Sequence, residues 1–301
     1  MKTRAWSRCV VFLVLLILGG WAPSAQAVLF SVGPRDLPSP PGNGFPVWYQ
    51  DFTGLTLDLC LPKNEVQARA GVCGAIPIPN PDPAVPIAFP TNFPDESFYF
   101  LASANAVLDT LSADNAVLVL AVEAAFAAGA VIPGDQITFS RHRIVFDAPV
   151  GGNYTVTTPY GVFNYPNVTA GKRAVVNPID IGIGAPGDFT GALGGTTGPF
   201  LQASATEGGT PLAPFSLGPT DSSGDLFLSN GLTLTPVTGS PNNTNLFRIC
   251  TDAVGGFPRP PRPVFARDGL HKRQPVLPHW KNIQRHALCA GEGVLCAQRL
   301  G

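Results

Sequence analysis

Charged residues are scarce. Asp, Glu, Lys and Arg make up 13% of the 301 residues, about half the ~25% usual in globular domains. So small a share excludes a coiled coil, a charge-rich disordered chain and a nucleic-acid-binding domain, each of which needs many charges. Histidine is rarer: four in the chain, and one, His142, between Val28 and Gly256. The sequence contains no G-x-S-x-G, no H-E-x-x-H and no C-x-x-C. It therefore offers no elbow to present a serine nucleophile and no zinc site of recognised spacing, and no cofactor is implied. Long apolar runs are also missing. The best candidate for a membrane span, Ala116 to Ile132, is 17 residues long with Glu123 near its centre. An ionised Glu at mid-bilayer costs several kcal/mol, so a segment buried in a protein core is the expectation and no transmembrane span is predicted after signal cleavage.

Glycine and proline are abundant, at 33 and 32 residues, and they punctuate the chain into short segments. Residues 1–27 have the parts of a secretory signal: Lys2, Arg4 and Arg8, then the apolar run Val10 to Leu18, then Ala25-Gln26-Ala27 as a small-x-small cleavage site. A mature chain starting at Val28 would be secreted, extracellular or periplasmic. Residues 28–46 read as a Pro/Gly-rich lead-in, 47–256 as a β-rich domain with a possible sub-domain break near 110–134, and 257–301 as a basic, Pro-rich, disordered tail.

Within the domain, Val47 to Gln50 leads through Asp51-Phe52-Thr53-Gly54 into Leu55, Leu57, Leu59 and Leu61, whose alternation predicts a half-buried strand. Further strands are predicted at Ser97 to Ala102, Gln136 to Asp147, Asn153 to Thr158 and Leu246 to Cys250. The alternation of the second slips across Arg141-His142-Arg143, where a bulge is expected. Asn230-Gly231 between two short apolar runs predicts a hairpin. One helix is expected, from about Ala113 to Ala128, with Ser112 as cap, Asp114 in the first turn and Gly129 closing it. The Pro-rich stretch 76–94 is expected to be polyproline-like. Together these features predict a mainly β protein: a β-sandwich, immunoglobulin-like or related, with one buried helix inserted.

Several phrases carry a resemblance. They are Trp48-Tyr49-Gln50-Asp51 with Thr53-Gly54-Leu55 and Leu57-Asp58-Leu59-Cys60-Leu61, then Asn92-Phe93-Pro94-Asp95-Glu96, then Tyr154-Thr155-Val156-Thr157 with Pro159-Tyr160-Gly161. Asp180-Ile181-Gly182, Gly198-Pro199-Phe200-Leu201 and Val237-Thr238-Gly239-Ser240-Pro241 continue them. Residues 44–250 thus resemble a group of uncharacterised secreted bacterial β-rich proteins. The resemblance implies export and a β-rich domain, and no catalytic residue.

The remaining chemistry is sparse. His142 between two arginines reads as a surface or strand-face residue whose cationic neighbours disfavour the imidazolium. Asp95-Glu96 reads as an acidic turn, with a glycosidase pair as the sharper alternative. Asp221-Ser222-Ser223-Gly224-Asp225 is a weak calcium candidate through Asp221 and Asp225, against a solvated turn. Asn153, Asn167 and Asn242 head N-glycosylation sequons. Trp48 and Tyr160 are candidates for stacking on sugars. Export favours disulfides; Cys60 and Cys73 are predicted to pair, with Cys289 and Cys296 as a weaker pair leaving Cys250 odd.

Charge divides the chain. Val28 to Gly256 holds 8 basic and 18 acidic residues, Phe257 to Gly301 8 basic and 2 acidic. These features point to a secreted or envelope-associated, non-enzymatic protein with a structural or binding role, whose partners are a cell-envelope surface or glycan. The alternatives are a carbohydrate- or surface-binding module, favoured by an exposed row of aromatics on one sheet face, and a hydrolase using acidic residues, favoured by two convergent carboxylates in a pocket.

Overall fold

The computed structural model describes residues 29–37, 42–70, 72–73, 82, 85, 87–106, 108, 116–230, 233–253, 288–290 and 294–295. The expected signal segment lies outside them. β1 (Leu29–Val32), β2 (Trp48–Asp51) and β3 (Thr56–Asp58) form a three-stranded antiparallel sheet. Asp51 makes the β2–β3 turn. Its buried Oδ1 accepts from the Thr53 amide and hydroxyl and the Leu55 amide, and Gly54 takes φ 88° beside it, a region glycine enters without steric cost. The described residues of the 28–46 segment do not stand apart as a lead-in. β1 pairs with β2, Arg35 bridges Pro46, and Phe45 is buried against Phe126 and Phe93, so the apolar residues among the prolines tie it to the core.

A six-residue helix, α1 (Glu65–Ala70), follows inside the loop closed by the Cys60–Cys73 disulfide, whose Cα atoms are 5.2 Å apart. This pairing matches the sequence prediction. Cys60, Cys73, Val72 and Phe227 form a second small core beside the main one. Of the Pro-rich stretch, residues 87–94 are described throughout. There Ala88 bridges Asn92, and Phe89 and Phe93 join the aromatic cluster around Phe126.

β4 (Glu96–Ala106), β5 (Ala116–Phe126) and β6 (Gln136–Ala148) run as a meander. β7 (Gly152–Thr158) and β8 (Gly161–Val168) make a hairpin, and β9 (Gly171–Ile181) crosses back to pair with β6. A 3-10 turn, η1 (Gly191–Gly194), precedes the short pair β10 (Gln202–Ala203) and β11 (Val237–Thr238). β12 (Arg248–Thr251), β13 (Leu288–Ala290) and β14 (Val294–Leu295) complete the order. A five-stranded sheet, β14-β4-β5-β6-β9, and a four-stranded sheet, β13-β12-β7-β8, share one core, which fits a β-sandwich-like fold. Pro166 and Pro178 lie on the edge strands β8 and β9, where proline is tolerated and blunts further strand pairing.

Four expectations are corrected. The predicted helix at 113–128 is, where described, the central strand β5, with eight of its eleven residues buried. Sheet neighbours on both sides and cover on both faces make an apolar run without periodicity, which a buried helix shares. For the same reason the described residues of 110–134 show no sub-domain break, since β5 pairs with both β4 and β6. There is no bulge at Arg141-His142-Arg143: β5 and β6 stay in unbroken register from Ala116↔Phe146 to Phe126↔Gln136. The hairpin predicted at Asn230-Gly231 has no paired strands among the described residues: Phe227 instead bridges Phe215, and Gly231 and Leu232 lie outside them. Most of the tail is also outside them, but its described residues pair with the domain, β13 with β12 and β14 with β4.

Candidate functional site

The phase of β6 explains the apparent slip. Gln136, Thr138, Ser140, His142, Ile144 and Phe146 all point inward, and the polar ones serve loops rather than solvent. Gln136 Nε2 donates to the Asn43 carbonyl, and Thr138 Oγ1 shares a 2.6 Å hydrogen bond with the Tyr49 hydroxyl. Ser140 Oγ accepts from the Thr197 amide. Gly195 packs so closely on Ser140 that an added Cβ would lie 2.1 Å from the serine Cβ. Asp51 reaches the same loop, its Oδ2 accepting from the Phe200 amide at 2.8 Å.

His142 is next in that row and has no such partner. It is fully buried, neither ring nitrogen is hydrogen-bonded, and the ring meets Phe163 edge-on at 4.7 Å. Of the expected surface or strand-face position, the first is corrected: His142 lies on the inward face of β6. Its arginine neighbours point to the opposite face, and burial pushes its pKa down to about 4. Acid should therefore unfold the protein partly through this residue. The unfolded imidazole binds its proton near pH 6.5, the folded one only near 4, so stability falls as pH drops through that window, by up to about 3 kcal/mol. His142→Leu should flatten the pH 6.5–4.5 slope of the denaturant midpoint. An unchanged slope would assign it to other groups.

The outer face of the five-stranded sheet carries one charged row. Glu96 on β4, Glu123 on β5, Arg141 on β6 and Asp180 on β9 lie on neighbouring strands. Arg141 clamps Asp180 with Nε and Nη2, at 2.9 and 3.1 Å, and its guanidinium lies 4.9 Å from the Phe139 ring centre. Arg141 Nη1 donates to Glu123 Oε1 at 3.2 Å and lies 3.5 Å from Glu96; Glu123 Oε2 is 3.0 Å away but off the hydrogen-bond direction. Glu123 is 1% exposed. Burial first, then a hydrogen bond to Glu96 and that residue's charge, push its pKa up to about 9 despite the opposing guanidinium. One cation among three carboxyls thus favours the protonated form of Glu123. The sequence sets Glu96 next to Asp95; the sheet sets it diagonally beside Glu123, two residues along β5 from its register partner Ala125, which no local motif signals.

The acidic loop 221–225 faces the disulfide-closed segment. Asp221 accepts from Asn64, Gln67 and the Ser223 amide, and Asp225 from Lys63 at 2.7 Å and from Gln67. Burial raises the Asp221 pKa, but these hydrogen bonds outweigh it and bring the value to about 2. Both candidate calcium ligands thus turn their oxygens to protein donors, Lys63 from the segment between β3 and α1 setting its ammonium against Asp225. Among the described residues no three His, Cys, Asp or Glu side chains gather as a metal site, and no helix is long and apolar enough to cross a membrane.

Aromatic side chains are most exposed on the β1–β3 sheet. A register shift between Leu29 and Ser31 puts both Phe30 and Ser31 on the outer face, where Phe30 meets Phe52 edge-on at 5.5 Å. The two rings are 60% and 57% exposed. Half-buried Trp48 lies over Gly33 on the same face, and Gln50 bonds Ser31 and Thr56 between them. Tyr160, the other predicted sugar-stacking residue, donates its hydroxyl to the Pro199 carbonyl and packs on the core instead. Asn153, Asn167 and Asn242 are exposed. No family model, curated protein or solved structure matches this chain.

Proposed function

We propose that this is an exported, non-enzymatic binding protein of the cell envelope or its surroundings, and that the outer face of the β1–β3 sheet binds glycan. The observation that carries the reading is the exposed Phe30–Phe52 pair, with half-buried Trp48 farther along the same face. Aromatic rings offer an apolar platform for the C–H face of a sugar, and flanking Gln, Ser and Thr groups suit its hydroxyls. Support also comes from the secretory pattern of residues 1–27 and from the resemblance to secreted β-rich proteins.

The hydrolase reading draws on Glu96 and Glu123, which do converge. Arg141 Nη1 reaches both, at 3.2 Å from Glu123 Oε1 and 3.5 Å from Glu96 Oε1, so a guanidinium stands where a glycosidase pair would need room for the sugar. Their arrangement suits a structural proton-sharing pair better than attack on a glycosidic bond.

Both phenylalanines are exposed, so replacing them should change stability by less than about 0.5 kcal/mol each. The test is affinity electrophoresis through gels holding soluble envelope or plant polysaccharides. The parent protein should be retarded by at least one of them, and Phe30→Ala/Phe52→Ala should lose about tenfold in affinity. Equal retardation of both proteins, or none for the parent across the panel, would sink the reading.

A further inference from the structure

We propose that Cys250 and Cys289 are joined by a disulfide that fastens the basic tail to the edge of the four-stranded sheet. Three observations meet here. Cys250 is disulfide-bonded. The antiparallel register of β12 and β13 sets it directly opposite Cys289, between Ile249↔Ala290 and Thr251↔Leu288. Residues directly opposed in an antiparallel pair have Cα atoms about 4.5–5.5 Å apart with side chains on one face, inside the ~4.4–6.8 Å range of disulfides. Cys250 lies on the outer, half-exposed side of β12, with the fully buried Ile249 and Thr251 on the inner side. A bond formed there disturbs no core packing.

Topology separates the competing partner. Cys296 follows β14, which pairs with β4 at Ala102 and Ser103 in the five-stranded sheet, whereas Cys289 lies in the four-stranded one. β13 and β14 thus lie at the same end of the two sheet orders, as β8 and β9 do at the other end. Charge favours the same docking: the tail has 8 basic and 2 acidic residues and the domain 8 basic and 18 acidic. The expected Cys289–Cys296 pair, with Cys250 odd, is replaced by this assignment.

Oxidation joins the two sulfurs. Two thiols lose two protons and two electrons to the disulfide of a thiol–disulfide oxidant, which leaves as a dithiol. The segment from Thr251 to Leu288, with Pro258-Arg259-Pro260-Pro261-Arg262-Pro263 inside it, becomes a closed loop.

The experiment uses the full chain recovered from an oxidising compartment, alkylated without reduction, and mapped by mass spectrometry. A Cys250–Cys289 linked peptide is expected. A Cys250–Cys296 or Cys289–Cys296 peptide, or alkylated Cys250, overturns the proposal. Limited trypsin cleavage after Arg267 gives a second reading. The fragments should stay together on a non-reducing gel and separate with reductant. Cys289→Ser should let them separate without it, and separation of the parent fragments without reductant also overturns the proposal.

Discussion

Glu123→Gln should make the protein more stable at alkaline pH, although it removes a buried residue that touches an arginine. The folded pKa of Glu123 is raised to about 9, above its ordinary 4.5. The folded state therefore keeps a proton that the unfolded chain gives up as pH rises past 4.5. The stability present below 4.5 is lost progressively up to about pH 9, a loss on the order of 4 kcal/mol at pH 8. Glutamine copies the neutral carboxyl, still donates toward Glu96, and loses nothing to titration. Urea unfolding at pH 5 and pH 8 should show parent and variant nearly equal at the lower pH and the variant ahead by several kcal/mol at the higher. A variant less stable at both values would mean that Glu123 is ionised and paired with Arg141. His142 titrates with the opposite sign, so its acid limb and the alkaline limb of Glu123 are separable with the two single variants.

Opening the Cys60–Cys73 disulfide should cost about 3 kcal/mol through the freedom returned to the unfolded chain. Cys60→Ser/Cys73→Ser has a second consequence particular to this fold. The disulfide holds α1 against loop 221–225, where Lys63, Asn64 and Gln67 supply the donors for Asp221 and Asp225. The sulfurs also pack with Val72 and Phe227 in the small second core. Loss of the bond should therefore raise hydrogen exchange in 61–73 and 215–227 together, while β4, β5 and β6 stay protected. Uniform loss of protection across all these segments would show one cooperative unit and refute a separable second core.

Most of the strands were legible because a half-buried strand writes its own period. Leu55 to Leu61, Ser97 to Ala102 and Asn153 to Thr158 each alternate or end at a turn residue, and each lies in or beside an observed strand. The Cys60–Cys73 pair was legible too, since short sequence separation and the expectation of export limit the choices. β5 was not. Its Ala- and Val-rich run is buried on both faces, and burial on all sides erases the period that separates strand from helix. Polar Thr138, Ser140 and His142 read as a slipped phase in β6 because their partners, Tyr49, Thr197 and Phe163, arrive from remote parts of the chain.

The candidate sites divide along the same line. The sequence by itself determined the address-like N-terminus, the β-rich class, the poverty of catalytic motifs and the opposed charges of domain and tail, all of which follow from composition and local pattern. Only the tertiary structure decided that Glu96 meets Glu123 rather than Asp95, that Asp221 and Asp225 turn to Lys63, Asn64 and Gln67, and that Phe30 and Phe52 share a face. Each of those outcomes depends on which strand lies beside which and in what register. Register is set by the sum of core packing across the sheets, so no single segment of the chain carries it.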